Sequence, residues 1–236
     1  MEKLIGRVDG NYTSENNLPK MDRKRGMVSQ NIGLYYFALD ECDTGVEHFQ
    51  FATEQYRRSI TDLREQRETP SDNFEGETTL LDYLYCTLLS REIPSSKTAA
   101  ELVLKTEREH YERFSTEWRY YYTMALAASI LENGEQHQYL DQLQKTIPTH
   151  DQAHEQFFTA LWTALSGIKN RGEDEFCAGI NQFLDWHDKN VDFDTKTSAT
   201  DLVCKQVAAL IVLARRNGMD VYIDSEYIPE CVYELV

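Results

Sequence analysis

Two histidines spaced four residues apart are the first group in this sequence that could do chemistry. His150 and His154 would share one face of a helix. That spacing suits zinc, but a zinc site needs a third ligand. In the HExxH motif of metalloproteases a glutamate follows the first histidine, whereas Asp151 stands there in this chain. Because Pro148 and Thr149 come directly before, we interpret these residues as the polar first turn of a helix.

A second group of possible metal ligands comprises Glu107, Glu109, His110 and Glu112. Glu107 and His110 form a Glu-x-x-His motif, but ferritin-like di-iron sites need that motif on two helices, and the sequence holds no second copy. His187 follows Asp185 and Trp186 at a predicted helix end, where a structural imidazole is commoner than a ligand. We therefore predict no metal and no cofactor.

Nucleophilic catalysis has no recognisable motif in this chain. The sequence contains no Gly-x-Ser-x-Gly elbow, no cysteine in a glycine-rich turn and no phosphate-binding loop. Its cysteines are dispersed and form no CxxC pair: Cys42, Cys86, Cys177, Cys204 and Cys231. This distribution predicts reduced thiols in a cytoplasm. We predict that the protein is not an enzyme.

Three consecutive tyrosines, Tyr120, Tyr121 and Tyr122, suggest binding instead of catalysis. Three successive residues of a helix cover about 300° of arc, so at least one ring faces away from the core stripe. Exposed tyrosine favours protein interfaces. The alternative is that all three rings are buried between helix layers.

The elements that must position these residues are helices. Residues 1–25 contain glycine, asparagine and proline and then a basic patch, which predicts a flexible N-terminal arm before a single all-helical domain at 26–236. An apolar stripe at three- to four-residue spacing then predicts a long helix, through Val46, Phe49, Ala52, Tyr56, Ile60 and Leu63. Ser95 or Ser96 is the expected N-cap of a later helix, after Pro94.

The middle of the chain twice shows a helix, an Asn/Gly turn and a second helix. One turn lies at Asn133-Gly134, where Gly134 is expected to adopt the left-handed conformation, and the other at Asn170-Arg171-Gly172. The fold class predicted is all-α, built from stacked antiparallel helix hairpins, either α-solenoid-like or as an irregular helical bundle, with no substantial sheet.

A helix that is apolar nearly all round should occupy the centre of the core. It runs from Leu202 to Ala214, with Thr200 or Asp201 as the expected N-cap and Gly218 as the stop. Met219 to Asp224 reads as a short extended segment, and Glu230 to Leu235 as a last helical turn.

The charge excludes several classes of partner. With 24 Lys and Arg against 40 Asp and Glu, the formal net charge is −16. Nucleic acids and anionic membranes would be repelled by this surface, whereas a basic protein would be attracted. The alternative is that the acidity only keeps the protein soluble. The longest apolar run, Val207 to Ala214, is far shorter than the ~20 residues of a membrane helix, and the N-terminus has no signal-peptide pattern, so we expect a cytoplasmic protein.

The last part of the chain resembles the Imm49 family of bacterial immunity proteins. The resemblance is carried by a buried helix ending in Ala-Arg-x-x-Gly at Ala214–Gly218, and then by Ser-x-Tyr-Ile-Pro at Ser225–Pro229. The stripe around Phe49 and the helix through Phe157 and Leu165 are compatible in order and spacing. The resemblance implies an all-helical protein that neutralises a cognate protein toxin in the cytoplasm of the cell that makes it.

Three hypotheses follow for the function. The first is an immunity protein that binds a basic toxin, with partner-binding residues at Tyr120, Tyr121, Asp220, Asp224 and Glu226. The second is a tetratricopeptide-like helical scaffold that binds peptides or proteins. The third is a metal-dependent helical hydrolase or oxidase, for which no complete ligand set is present. We expect Tyr227 and Pro229 to hold the C-terminal segment against the body.

Overall fold

The computed structural model describes residues 18–65, 76–106, 117–147, 151–190 and 198–236. They form α-helices and a C-terminal 3₁₀ helix, and no strand occurs among them. In chain order the elements are α1 (Leu18–Ala38), α2 (Cys42–Glu65), α3 (Gly76–Leu89), α4 (Ile93–Leu104), α5 (Glu117–Leu131), α6 (Gln136–Thr146), α7 (Gln152–Asn170), α8 (Glu173–Asn190), α9 (Ala199–Leu202), α10 (Lys205–Arg216) and the 3₁₀ helix (Glu230–Glu234). The all-α prediction is confirmed.

Helices α1 and α2 form a hairpin around the stripe that the sequence predicts. Its members are buried wherever side chains are described: Val46, Phe49, Ala52, Tyr56 and Ile60. Phe37 of α1 contacts Phe49 of α2 with ring centroids 4.9 Å apart. The buried Tyr56 hydroxyl donates a hydrogen bond of 3.2 Å to Oε1 of Gln30. The Ser29 hydroxyl of α1 also donates to the carbonyl oxygen of His48 on α2 at 3.0 Å, so the hairpin closes through ring packing and internal polar contacts.

The first helix begins inside the segment predicted as an N-terminal arm. Helix α1 starts at Leu18, and Met21 and Asp22 are already buried. Pro19 suits this position, because the first helical turn needs no backbone N–H. Residues 18–25 are thus helical, contrary to the prediction of a flexible arm there. Residues 1–17 lie outside the described residues, so the division into arm and domain stays a prediction.

Helix α4 begins earlier than its predicted cap. Its N-cap is Glu92 and Pro94 lies in its first turn, so the expectation of an N-cap at Ser95 or Ser96 is wrong. Proline fixes φ near the helical value and lacks an N–H, which favours the first turn of a helix over the residue before it. Ser96 is instead buried, and its hydroxyl donates to the carbonyl oxygen of Thr87 at 3.0 Å.

The two hairpin turns use non-glycine residues in the left-handed region. Glu132 has φ 51° and Arg171 has φ 52°, so the expectation that Gly134 adopts this conformation is wrong. Each helix ends one residue before the left-handed position, and the glycine comes after it in the turn. Gly172 still contributes, because its N–H donates to the carbonyl oxygen of Gly167 at 2.9 Å. Gly218, with φ 82°, does follow the end of α10 as predicted.

The apolar C-terminal helix is split in two. A one-turn helix, α9, precedes α10, and the extended Val203 separates them, so the expected N-cap at Thr200 or Asp201 is wrong. Asp201 instead accepts a hydrogen bond from the N–H of Ser198 at 3.0 Å. Every residue from Val207 to Ala214 is buried. Because no face of α10 is polar, it must lie inside the core.

Helix α10 contacts elements from several parts of the chain. It packs against α3, the 3₁₀ helix and both helices of the α7–α8 hairpin. The α7–α8 pair is unusually close: a Cβ on Gly179 would lie 2.4 Å from the backbone nitrogen of Ala164. A central helix with hairpins around it is an irregular bundle, one of the two predicted architectures. Among the described helices none has both the length and the apolar character needed to cross a bilayer.

Candidate functional site

A cleft of about 360 Å³ lies between helices α3, α5, α7, α8 and α10. Its deepest polar feature is an ion pair between Lys205 and Asp82, whose Nζ and Oδ1 atoms are 2.5 Å apart. The side chains are only 9% and 12% exposed. The Lys205 ammonium also lies 5.7 Å from the ring centre of Tyr85. Each buried charge therefore compensates the other, as buried charges must.

The second polar feature of the cleft is a pair of buried phenols. The hydroxyl oxygens of Tyr85 and Tyr122 are 2.8 Å apart. Burial raises the pKa of both groups well above the usual tyrosine value. Both rings are therefore neutral at physiological pH, and their hydroxyls satisfy each other. Of the three consecutive tyrosines, Tyr122 is buried in the core, whereas Tyr120 and Tyr121 are half-buried.

Aromatic rings form one wall of the cleft, which is also lined by Thr78, Leu81, Arg119, His154 and Gln206. Phe157 lies 4.7 Å from Phe158 and 4.7 Å from Trp186, measured between ring centroids. Trp118 meets Phe158 edge-on at 4.1 Å. Such edge-to-face contacts stabilise a core beyond the area they bury. The wall is thus packed as a continuation of the hydrophobic core.

The candidate metal ligands do not assemble where they are described. His154 Nδ1 contacts Oδ2 of Asp151, and the His154 N–H donates to Oδ1 of the same carboxylate at 3.3 Å. Asp151 thereby caps α7, in agreement with the interpretation of a polar first turn. His187 is buried on α8, with its ring 4.8 Å from that of Tyr227. Within the described ranges no three histidine, cysteine or acidic side chains group as metal ligands would.

His150 and the group Glu107, Glu109, His110 and Glu112 lie outside the described residues. Their predicted structural roles stay predictions.

The thiols nearest the cleft are poor nucleophiles. Burial raises the pKa of Cys204 to about 12, and it also raises the pKa of Cys86. The thiolate is the reactive form of cysteine, so neither group attacks an electrophile readily at neutral pH. The ion pair and the neutral phenols of the cleft, and the protonated thiols buried near it, suit stability better than chemistry.

A different kind of surface lies at the C-terminal end of the chain. We define the acidic C-terminal surface as Asp220, Tyr222, Asp224, Glu226 and Glu230, all of which are exposed. Tyr222 is 58% exposed, and its hydroxyl donates to Oε1 of Glu230 at 2.8 Å. That hydrogen bond raises the pKa of Tyr222, so its phenol stays protonated at neutral pH. Residues 217–236 contain five acids and no Lys or Arg.

The chain behind this surface is firmly attached to the bundle. The Tyr227 hydroxyl donates to Oδ1 of Asp188 on α8 at 2.9 Å, as expected for a residue that holds the segment down. Tyr233 both accepts from the Ile223 N–H at 3.1 Å and donates to the Ile223 carbonyl oxygen at 2.8 Å. The acidic side chains are therefore presented from an ordered backbone, which lowers the entropy cost of binding.

Two arginines at the end of α10 donate hydrogen bonds to the backbone of the C-terminal segment. The Arg216 guanidinium donates to the carbonyl oxygens of Leu88 at 3.2 Å and Leu235 at 3.3 Å. Arg215 donates to the carbonyl oxygen of Val221 at 3.2 Å and lies 3.9 Å from Oδ1 of Asp220. The Asp220 side chain nevertheless stays fully exposed, at 100% of its accessible area.

The structure brings together some of the sequence-predicted binding residues. Asp220, Asp224 and Glu226 belong to the acidic C-terminal surface, whereas Tyr120 and Tyr121 lie half-buried on α5, with rings 5.2 Å apart. Tyr222 and Glu230 lie on the same surface and were not among the residues predicted from the sequence. The signal for Tyr222 was present, because Met219 to Asp224 alternates strictly between buried and exposed positions and places Tyr222 beside the aspartates.

A family model identifies the chain. The model described as Immunity protein 49, Imm49, matches residues 30–231. This protein belongs to the Imm49 family. The match extends from α1 into the 3₁₀ helix and includes the whole acidic C-terminal surface. Comparison with curated proteins and with solved structures gave no match. Membership of Imm49 connects the chain to immunity against toxins, and immunity proteins are in general not catalytic.

Proposed function

We propose that this Imm49 protein is an immunity protein that binds and neutralises a cognate protein toxin in the cytoplasm. The observation that carries the proposal is the family match over residues 30–231. The exposed acidic C-terminal surface supports it, because an interface needs accessible side chains held on an ordered backbone. The paired and neutral groups of the cleft favour binding over catalysis as the protein's role.

The charge of the surface favours a basic toxin. A net charge of −16 accelerates the encounter with a cationic partner and slows that with an anionic one. Asp220, Asp224 and Glu226 are placed to pair with lysine or arginine side chains of the toxin. Nucleic acid and membrane are not proposed partners for the same reason.

Tyr222 is the proposed aromatic anchor of the interface, beside the charged side chains. Tyrosine is enriched among the residues that dominate interface energies, because it buries a large ring at a small cost in side-chain entropy. Tyr222 is already held by Glu230 at 2.8 Å, so little freedom is lost when a partner covers it. A toxin cation can lie over its ring and between the neighbouring carboxylates. We propose Tyr120 and Tyr121 as a second, smaller contact.

The test needs the cognate toxin, which we expect to be encoded beside the gene for this protein. Co-expression of the wild type should restore growth of cells that carry the toxin, and the purified pair should bind tightly. The triple variant Asp220→Lys, Asp224→Lys and Glu226→Lys should lose protection and at least about a hundredfold in affinity, since like charges then face the toxin.

The matched control reverses three exposed acids elsewhere, Glu101, Glu135 and Asp141. It carries the same net charge as the first variant, so any difference between them reports position. An equal loss of protection and of affinity in the two variants would mean that the net charge matters and the position of the acids does not. Full protection by the first variant would remove the acidic C-terminal surface from the interface.

A further inference from the structure

The cleft between α3, α5, α7, α8 and α10 has the size and the lining of a small-molecule site. Its volume of about 360 Å³ falls within the range of roughly 300–1,000 Å³ that such sites occupy. Thr78 and His154 on its lining are exposed, whereas Asp82, Tyr122 and Lys205 are buried, so the cleft runs from the surface into the core. We propose that it binds a planar aromatic carboxylate, a ligand with one or two fused rings and a single negative charge.

The aromatic side chains of the cleft provide the contact for the ligand ring. Phe157 meets Phe158 at an interplanar angle of 66° and Trp186 at 74°. Aromatic rings attract one another in such edge-to-face arrangements, because the positive edge of one ring lies against the negative face of the other. Phe157 and Trp186 are only half-buried, so part of each side chain is accessible to a further ring.

Trp186 also carries a polar atom that needs a partner. Its Nε1 is buried and has no hydrogen-bond partner among the described residues. Buried indole N–H groups usually have one, and a ligand oxygen beside Trp186 would supply it. Gln206, half-buried on α10, adds a side-chain amide that can both donate and accept. The cleft therefore offers hydrogen bonds as well as ring contacts to an aromatic molecule that carries oxygen.

The charges of the lining favour an anion. Among the described residues that line the cleft, Arg119 and Lys205 are the permanent cations and Asp82 is the carboxylate. Asp82 is already compensated by Lys205, whose Nζ lies 2.5 Å from Oδ1. The guanidinium of Arg119 has five N–H donors, so it can bind a ligand carboxylate in addition to the contacts that it already makes. Charge-assisted hydrogen bonds of this kind are the strong ones.

The same contacts argue against a cationic ligand, which aromatic side chains otherwise favour. The Lys205 ammonium already lies 5.7 Å from the ring centre of Tyr85, and the Arg119 guanidinium lies 5.6 Å from that of Trp118. Two rings beside the cleft thus already have a protein cation, and a further cation would be repelled by both. The overall charge of −16 does not set the preference of this site, because its lining has the opposite balance.

The experiment compares three probes with the same ring system and different charge on the purified full-length protein. They are 1-naphthoate, the neutral 1-naphthamide and the cationic 1-naphthylmethylamine. Titration calorimetry should give 1-naphthoate a Kd of about 0.1 mM, as is usual for a ligand of this size. The amide should bind at least about tenfold more weakly, because a charge-assisted hydrogen bond is lost, and the amine should not bind.

Two variants locate the binding. Arg119→Gln should weaken 1-naphthoate at least about tenfold and leave 1-naphthamide within about twofold, a split that a general loosening of the cleft would not produce. Leu81→Trp places a large ring in the cleft and should abolish binding of both. Urea unfolding of each variant shows that it is folded under the conditions of the titration.

The matched control is Arg58→Gln, which removes the same charge from a side chain that is 54% exposed on α2 and does not line the cleft. It should bind 1-naphthoate like the wild type. No binding of 1-naphthoate, equal or tighter binding of the amide or the amine, or full affinity in Leu81→Trp would each overturn the proposal. These titrations contain no toxin, so their outcome is independent of the proposed immunity function.

Discussion

The cleft and the acidic C-terminal surface hold their polar groups in opposite ways. In the cleft Lys205 faces Asp82 at 2.5 Å and the Tyr85 and Tyr122 hydroxyls face each other at 2.8 Å, so every charge or hydroxyl in these pairs has a buried partner. On the surface Asp220 is fully exposed and Tyr222 is 58% exposed. Groups satisfied internally contribute to stability, whereas exposed groups on an ordered backbone are available to a partner.

The largest expected effect comes from breaking the buried ion pair. Lys205→Ala leaves the Asp82 carboxylate buried without its counter-charge, which should cost about 3–5 kcal/mol of unfolding free energy. Urea denaturation of the purified variant measures this. The double variant Asp82→Leu with Lys205→Met should recover most of the loss, because no charge is then buried. A double variant as unstable as the single one would contradict this reading of the cleft.

The next largest effect is a loss of toxin affinity caused by a change in the acidic C-terminal surface. Tyr222→Ala should lower toxin affinity by about 2 kcal/mol, or roughly 30-fold, because an interface anchor is removed. Its unfolding free energy should change little. The control Tyr35→Ala removes a tyrosine that is 39% exposed on α1 and should leave affinity within about twofold. Titration calorimetry with the toxin gives both values, and equal affinity in the two variants would argue against Tyr222 as an anchor.

A smaller effect on the unfolding free energy is expected when one tyrosine hydroxyl is removed from each region. Tyr122→Phe deletes a buried hydroxyl and leaves that of Tyr85 unpaired, which should cost about 1–2 kcal/mol. Tyr222→Phe deletes an exposed hydroxyl and should cost less than about 0.5 kcal/mol. Urea unfolding under identical conditions compares them. Equal losses of unfolding free energy in the two variants would contradict the difference between the cleft and the acidic C-terminal surface.

The smallest effect concerns an exposed counterpart of the buried ion pair. Glu54 accepts from Arg57 and Arg58 at 2.8 Å each, and these contacts lower the pKa of Glu54 to about 2. A depressed pKa stabilises the fold above the unfolded value, near 4.3, and the contribution disappears as the pH falls toward 2. Glu54→Gln should therefore cost less than about 1 kcal/mol at pH 7, and this cost should shrink as the pH falls toward about 2.

Urea unfolding of the wild type and of Glu54→Gln at a series of pH values measures the contribution of Glu54 to the unfolding free energy. A loss at pH 7 as large as that of Lys205→Ala would remove the distinction between exposed and buried pairs.

Periodicity predicted the helices and the central position of α10, because burial of Phe49, Tyr56 and residues 207–214 follows directly from apolar spacing. Helix ends were predicted less well. Pro94 entered the first turn of α4, and Glu132 and Arg171 took the left-handed positions expected near glycine. At α4 the preference of proline for the first helical turn outweighs that of serine for the N-cap.

The contacts that define the two regions could not be predicted from the sequence. Lys205 and Asp82 are 123 positions apart, and nothing local marks either as the other's partner. The same holds for the Tyr85–Tyr122 pair, whose members are 37 positions apart. The exposure of Asp220, Asp224 and Glu226 could be expected, because polar residues are mostly exposed, and their role in binding stays a prediction.

Hydrogen exchange with and without the toxin tests most directly which region meets the partner. We expect backbone amides of residues 219–234 to exchange more slowly in the complex, while those of α3 and α5 beside the cleft are unchanged. Slower exchange at α3, α5 and α7 with no change at 219–234 would contradict it.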